Sequence, residues 1–97
     1  MRLEYHPAAI EDLNSAIRHY DEKRTGLGDG LRAEVYIAID SILESPLRCK
    51  ESERGIRRRL VRRFPYSILF RMPAVDTVRV LVIRHHRRNP GYGIERR

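Results

Sequence analysis

The sequence has one cysteine, no tryptophan, and no apolar run longer than the five residues from Val35 to Ile39. A membrane-spanning helix needs about 20 apolar residues and a secretion signal about 7 to 15. The chain is therefore expected in the cytoplasm, without membrane association. Cys49 alone excludes an internal disulfide and a multi-cysteine zinc site, and fits a reducing compartment. There is no glycine-rich phosphate loop, no G-x-S-x-G and no H-E-x-x-H, so neither a metal nor a cofactor is expected. At 97 residues the chain forms one domain, residues 1–97, with a modest core and no room for a large enclosed cavity.

Lysine is absent from residues 54–97, where thirteen arginines face only Asp76 and Glu95. Residues 1–53 carry seven Lys/Arg against eleven Asp/Glu, so an acidic half precedes a basic one. Arginine presents a planar fork of five donors suited to phosphates and carboxylates, and it stays charged when partly buried. Such enrichment favours recognition of anions over mere solubility.

Hydrophobic spacing divides the chain into elements. Leu3 and Tyr5 alternate with polar neighbours in a short marginal strand that Pro7 closes. Ile10, Leu13, Ile17 and Tyr20 recur at three and four residues, predicting an amphipathic helix from Pro7 to about Arg24. A break at Thr25-Gly26-Leu27-Gly28 leads to a second helix, capped by Asp29, with Leu31, Val35, Ala38, Ile39, Ile42 and Leu43 on one face. A polar loop, residues 48–55, is expected to be mobile. Alternation then predicts strands over Ile56–Arg63, Tyr66–Met72 and Thr77–His85, with Val78–Ile83 apolar enough to be central. The tail from Arg87 has no period, and packing or a partner must order it. The order implies an α+β fold: a two-layer β-αα-βββ arrangement with a helix hairpin on one face of a mainly antiparallel sheet.

Few residues carry recognisable chemistry. On a strand, His85 and His86 point to opposite faces, so at most one serves a given site. His86, followed by Arg87 and Arg88, is a candidate titratable base beside cations, against the plainer reading of a strand-end histidine bonded to backbone. Alternation places Arg57, Arg59 and Arg63 on one face of their strand, and Arg58 and Arg62 on the other with Ile56 and Leu60. Either row could contact phosphates, or pair with acids of the helices. Arg57, Arg59, Arg62, Arg63, Arg71 and Arg87 are the anion-binding or target-binding candidates. Tyr66, Phe70 and Tyr92 could stack on bases, although Tyr66 and Phe70 fit a core equally well.

Four segments together resemble the RelE/ParE superfamily of toxins from bacterial type II toxin–antitoxin modules. They are Tyr5-His6-Pro7-Ala8-Ala9, Arg24-Thr25-Gly26-Leu27-Gly28-Asp29, Arg62-Arg63-Phe64-Pro65-Tyr66-Ser67-Ile68 and His85-His86-Arg87-Arg88-Asn89-Pro90-Gly91-Tyr92. The likeness runs nearly end to end. It implies a growth-inhibiting toxin in a hetero-oligomeric complex with a cognate antitoxin, whose contacting segment is expected to be acidic.

The superfamily has two activities. RelE-like members cleave mRNA in the ribosome, and ParE-like members poison DNA gyrase. Carried over by position, Arg58 falls near a nuclease lysine, Arg88 near the C-terminal arginine and Tyr92 near the tyrosine. Those three and His86 are the catalytic candidates for a nuclease. A nuclease arginine is replaced by Ser67, and a second lysine falls at Leu60, with Arg59 one residue away. Serine cannot supply the charge stabilisation that the phosphorane needs. The Phe64-Pro65-Tyr66 turn and the helix-hairpin spacing are also closer to the ParE-like pattern. Gyrase poisoning is therefore the leading expectation, metal-independent mRNA cleavage the second, and a non-toxic basic nucleic-acid-binding module the third.

Overall fold

The computed structural model describes residues 1–97, with side chains at every position but 53. Strand β1, Arg2–Tyr5, ends where Pro7 opens helix α1, Pro7–Lys23. Proline suits that first helical position because its missing N–H would have no intrahelical partner. His6 caps the helix, its Nδ1 accepting from the Ala8 N–H at 3.0 Å. The buried face of α1 comprises Ala9, Leu13, Ala16 and Ile17, with Tyr20 half-buried beside them, whereas Ile10 is exposed. Leu13, Ile17 and Tyr20 of the predicted stripe thus face the core, and Ala9 and Ala16 take the place of Ile10. Small alanines face inward, and the neighbouring helix comes close.

Helix α2, Leu27–Glu44, starts earlier than expected. Its cap is Gly26, at φ 88°, a left-handed conformation that glycine adopts without Cβ strain. Asp29 lies in the first turn and pairs with Arg32 instead of capping. The side chain that satisfies an N–H at this end is Asp21 of α1, whose Oδ1 accepts from Gly28 at 2.8 Å. Leu31, Val35, Ala38, Ile39 and Ile42 are buried as their spacing predicts.

Residues 48–55 are not an irregular loop. They include a two-residue strand β2, Lys50–Glu51, and parts of two 3₁₀ turns, Pro46–Arg48 and Glu53–Gly55. Strand β3 is Arg57–Leu60, shorter than the alternation suggested, because Arg63 takes φ 70° and residues 61–65 turn back toward β4, Tyr66–Ala74. Strand β5, Thr77–His85, completes the meander. The sheet order is β1-β5-β4-β3-β2, with β1 a parallel edge against β5 and every other pair antiparallel. The helices cover one face, as the two-layer α+β prediction required.

β5 carries a bulge. Leu69 pairs with Val82 and Phe70 with Val80, leaving Leu81 as the extra residue. Val78, Val80 and Ile83 therefore join the helix-side core, while Leu81 and Val82 join Ile56 and Leu69 in a second cluster on the opposite face. The C-terminal tail folds back over that second cluster, packing Tyr92 and Ile94 against it. Its packing is intramolecular.

Candidate functional site

At the end of β5 the chain presents two concave surfaces, one on each side of the sheet. His85 lines a cleft of about 440 Å³ beside α1, and His86 lines a cavity of about 360 Å³ on the face away from the helices. The two histidines thus line different surfaces, as expected, although His86 is the first residue of the turn after β5 and not part of the strand.

The cleft is organised by Asp12. Its side chain is only 7% exposed and accepts three hydrogen bonds: from the Tyr92 hydroxyl at 2.7 Å, from Arg96 Nη1 at 2.7 Å and from the Ile83 N–H at 3.2 Å. Arg96 Nη1 also donates to the Leu81 carbonyl at 2.9 Å. Burial opposes the charge on Arg96, but its bonds to Asp12 and Tyr92 prevail and leave its pKa above the usual arginine value. One carboxylate therefore ties α1, β5 and the tail together. Asp12 was not anticipated. Its signal was a carboxylate one turn from both Ala9 and Ala16 on the apolar face of α1.

Tyr66 closes the cleft floor, its hydroxyl pKa raised mainly by burial, with its ring edge-on to His85 at 5.0 Å. Burial is also the main cause holding the His85 pKa below its usual value, with further lowering from His86, Arg87, His19 and Arg88. His85 Nδ1 accepts from the Arg87 N–H at 3.0 Å. Since the unfolded chain binds this proton more readily, stability contributed here is present above about pH 6.5 and is lost as pH falls toward the lower folded value. Thermal melts should show an acid-side loss that is smaller in His85→Gln. An identical acid response in both proteins would refute this assignment.

On the other face, Arg58, Ser67, Arg84, His86 and Arg88 surround the cavity. Register explains the grouping, because Leu60, Ser67 and Arg84 lie opposite one another on β3, β4 and β5. Ser67 is buried, and its hydroxyl lies 3.1 Å from His86 Nε2. Arg84 donates to the Pro90 carbonyl at 2.6 Å, and its pKa is lowered by burial and then by Arg58. Arg88 lies over the Tyr92 ring at 4.2 Å, with Arg96 also against that ring at 4.9 Å.

Arg58, His86 and Arg88 are thus brought together, while the Tyr92 hydroxyl is held by Asp12 in the cleft. Arg84 was missed, since nothing in sequence spacing sets it beside Arg58. The other arginine candidates disperse. Arg57 donates to the Cys49 carbonyl at 2.9 Å and pairs with Glu51, and Arg59 also faces the helix side, close to Cys49. Arg62 and Arg63 lie beyond β3, not on it as expected, and Arg63 pairs with Glu34 at 3.5 Å. Arg71 Nη1 donates to the Arg54 carbonyl, and Arg87 lies in the turn after β5. Tyr66 and Phe70 are core residues, which removes them as stacking surfaces.

A helix hairpin on one face of a five-stranded sheet, with Arg58, Arg84 and Arg88 on the other, is the arrangement that the resemblance to RelE/ParE-type toxins implies. Residues 3–90 match the family model described as ParE toxin of type II toxin-antitoxin system, parDE, and the chain belongs to that family. Among solved structures, one titled "Chromosomal ParDE TA system from P. aeruginosa" superposes with a TM-score of 0.77 at 20% identity, covering 88% of this chain and 95% of the other. No curated protein sequence matches. ParE toxins work with a cognate antitoxin in a toxin–antitoxin complex. Among the described residues, no helix is long and apolar enough to cross a membrane.

Proposed function

We propose that this toxin inhibits DNA gyrase and is held inactive by a cognate antitoxin whose contacting segment is acidic. Membership of the ParE family supports the target. The observation that carries the reading is the engagement of Tyr92, whose hydroxyl donates to a buried carboxylate while its ring lies against Arg88. Cleaving RNA requires a group to take the ribose 2′-hydroxyl proton and a cation at the developing phosphorane. Here the tyrosine is committed elsewhere, and Ser67 stands where the nuclease pattern has an arginine. Arg88 carries charge, but arginine cannot serve as a base at neutral pH.

The second reading, ribosome-dependent mRNA cleavage, is favoured by the meeting of Arg58, His86 and Arg88 around one cavity. Pulse-labelling after induction from a tight promoter separates the two. DNA synthesis is expected to stop first, with induction of DNA-damage signalling. Earlier arrest of protein synthesis, with new mRNA ends inside translated frames, would replace gyrase by mRNA as the target. For antitoxin binding, electrostatic steering by the basic half predicts an association rate that falls with salt.

A further inference from the structure

We infer that the cleft between α1 and the end of β5 is a receptor for a carboxylate group, with the Tyr66 hydroxyl, the His85 imidazole and the Arg88 guanidinium as its donors. All three line the same cleft of about 440 Å³. They come from β4, from the last residue of β5 and from the turn that follows. Register brings the first two together, since Tyr66 lies opposite His85 in the β4–β5 ladder.

The fold leaves each donor unused. Tyr66 is only 7% exposed, yet among the described residues nothing hydrogen-bonds to its hydroxyl. Buried hydroxyls are ordinarily bonded, so this one calls for a partner from outside the chain. His85 Nδ1 accepts from the Arg87 N–H, which places the proton of the neutral ring on Nε2 and makes that atom a donor. Arg88 is exposed, lies over the Tyr92 ring at 4.2 Å and has no carboxylate partner among the described residues.

Charge selects the ligand. Glu11 and Asp12 line the cleft together with Arg18 and Arg88. Asp12 is already matched by Arg96 at 2.7 Å, and its three hydrogen bonds leave it no claim on the free donors. Histidines aside, Arg18 and Arg88 then face Glu11 alone, and one positive charge stands in excess. A monoanion cancels that charge, whereas a phosphate dianion overshoots it beside Glu11. Water would satisfy the hydroxyl and leave the charge. A carboxylate offers two oxygens with about four lone-pair sites, room for all three donors, and hydrogen bonds to an ionised acceptor are the strong ones.

The inference goes beyond the gyrase reading and does not rest on it. Propionate titrated into the isotope-labelled toxin, with ionic strength held constant by chloride, should shift the amide resonances of Tyr66, His85 and Arg88 saturably. Tyr66→Phe should weaken binding about tenfold, the loss of one hydrogen bond to a charged acceptor. Its melting midpoint should stay unchanged, because the hydroxyl has no partner in the fold. Arg88→Gln, at an exposed position, should weaken binding severalfold and decides the matter even if Tyr66→Phe fails to fold. Arg87→Gln removes the same charge one residue away, outside the cleft, and should weaken binding less. Shifts that do not saturate, equal binding of propionamide, undiminished binding by Tyr66→Phe, equal losses in Arg87→Gln and Arg88→Gln, or tighter binding of methyl phosphate would each overturn the receptor. N-acetylglutamate methylamide separates the sources of the carboxylate. Tighter binding than propionate places it on the side chain of a polypeptide, and equal or weaker binding assigns the cleft to free small acids.

Discussion

Asp12→Ala should destabilise the domain by about 3–5 kcal/mol, the range for removing one partner of a buried ion pair. The substitution leaves the Arg96 guanidinium, 12% exposed, without its counter-charge, and strands the Tyr92 hydroxyl and the Ile83 N–H. For a domain of this size each kcal/mol lowers the melting midpoint by about 4–8 °C, so a fall of more than 10 °C is expected. Asp12→Asn keeps an acceptor and should lose less. Hydrogen exchange supplies an independent readout, since residues 89–97 should lose protection before the helices do. A melting midpoint within a few degrees of the parent protein would show that Asp12 does not anchor the tail.

Gly28→Ala and Gly30→Ala should change stability in opposite directions, although both replace glycine inside the same helix. Propensity alone favours alanine at each position by roughly 0.5–1 kcal/mol. At Gly28, however, a Cβ would lie 2.5 Å from the Ile17 carbonyl oxygen and 2.7 Å from Asp21 Oδ1. The first is backbone and cannot swing away. Overpacking costs about 1–3 kcal/mol, and displacing Asp21 weakens a charge-assisted bond of about 1.5–3 kcal/mol. Gly28→Ala should therefore lose about 3 kcal/mol. At Gly30 the nearest group is Phe64 Cζ at 3.6 Å, an ordinary contact, so the propensity gain should survive. Urea denaturation of the two variants checks both signs, and a stabilised Gly28→Ala would mean that the helices separate freely.

That contrast illustrates what the amino-acid order reveals and what it conceals. Gly26 and Gly28 read alike as a helix break. Only the first is outside a helix, while Gly28 exists for the close approach of Ile17. Element order and the covered sheet face were legible because periods of 3.6 and 2 survive in Leu31 to Ile42 and in Tyr66 to Phe70. The phase of β5 was not. Val80, Leu81, Val82 and Ile83 are all apolar, and a one-residue bulge inside such a run leaves no trace in the pattern. Ile56–Arg63 was overextended because alternation continued on paper past Leu60, where Arg63 adopts a left-handed backbone. The site divides similarly. Arg58 and Arg88 could be named from motif positions and His86 from its cationic neighbours, whereas Arg84 and Asp12 acquire their roles from register and from a tail that returns across the molecule.

The parallel pairing of β1 with β5 has a consequence for how the toxin is made. Strand β1 has no neighbour until β5 exists, and Asp12 waits longer still for Tyr92 and Arg96. At about 5–20 residues per second, the ribosome leaves β1 unmatched for several seconds while the intervening chain is added. Helix α1 can form early, but its apolar face has no sheet to cover. The toxin fold thus closes only once residues 77–97 have been made, and an antitoxin already present meets it at the moment it becomes competent.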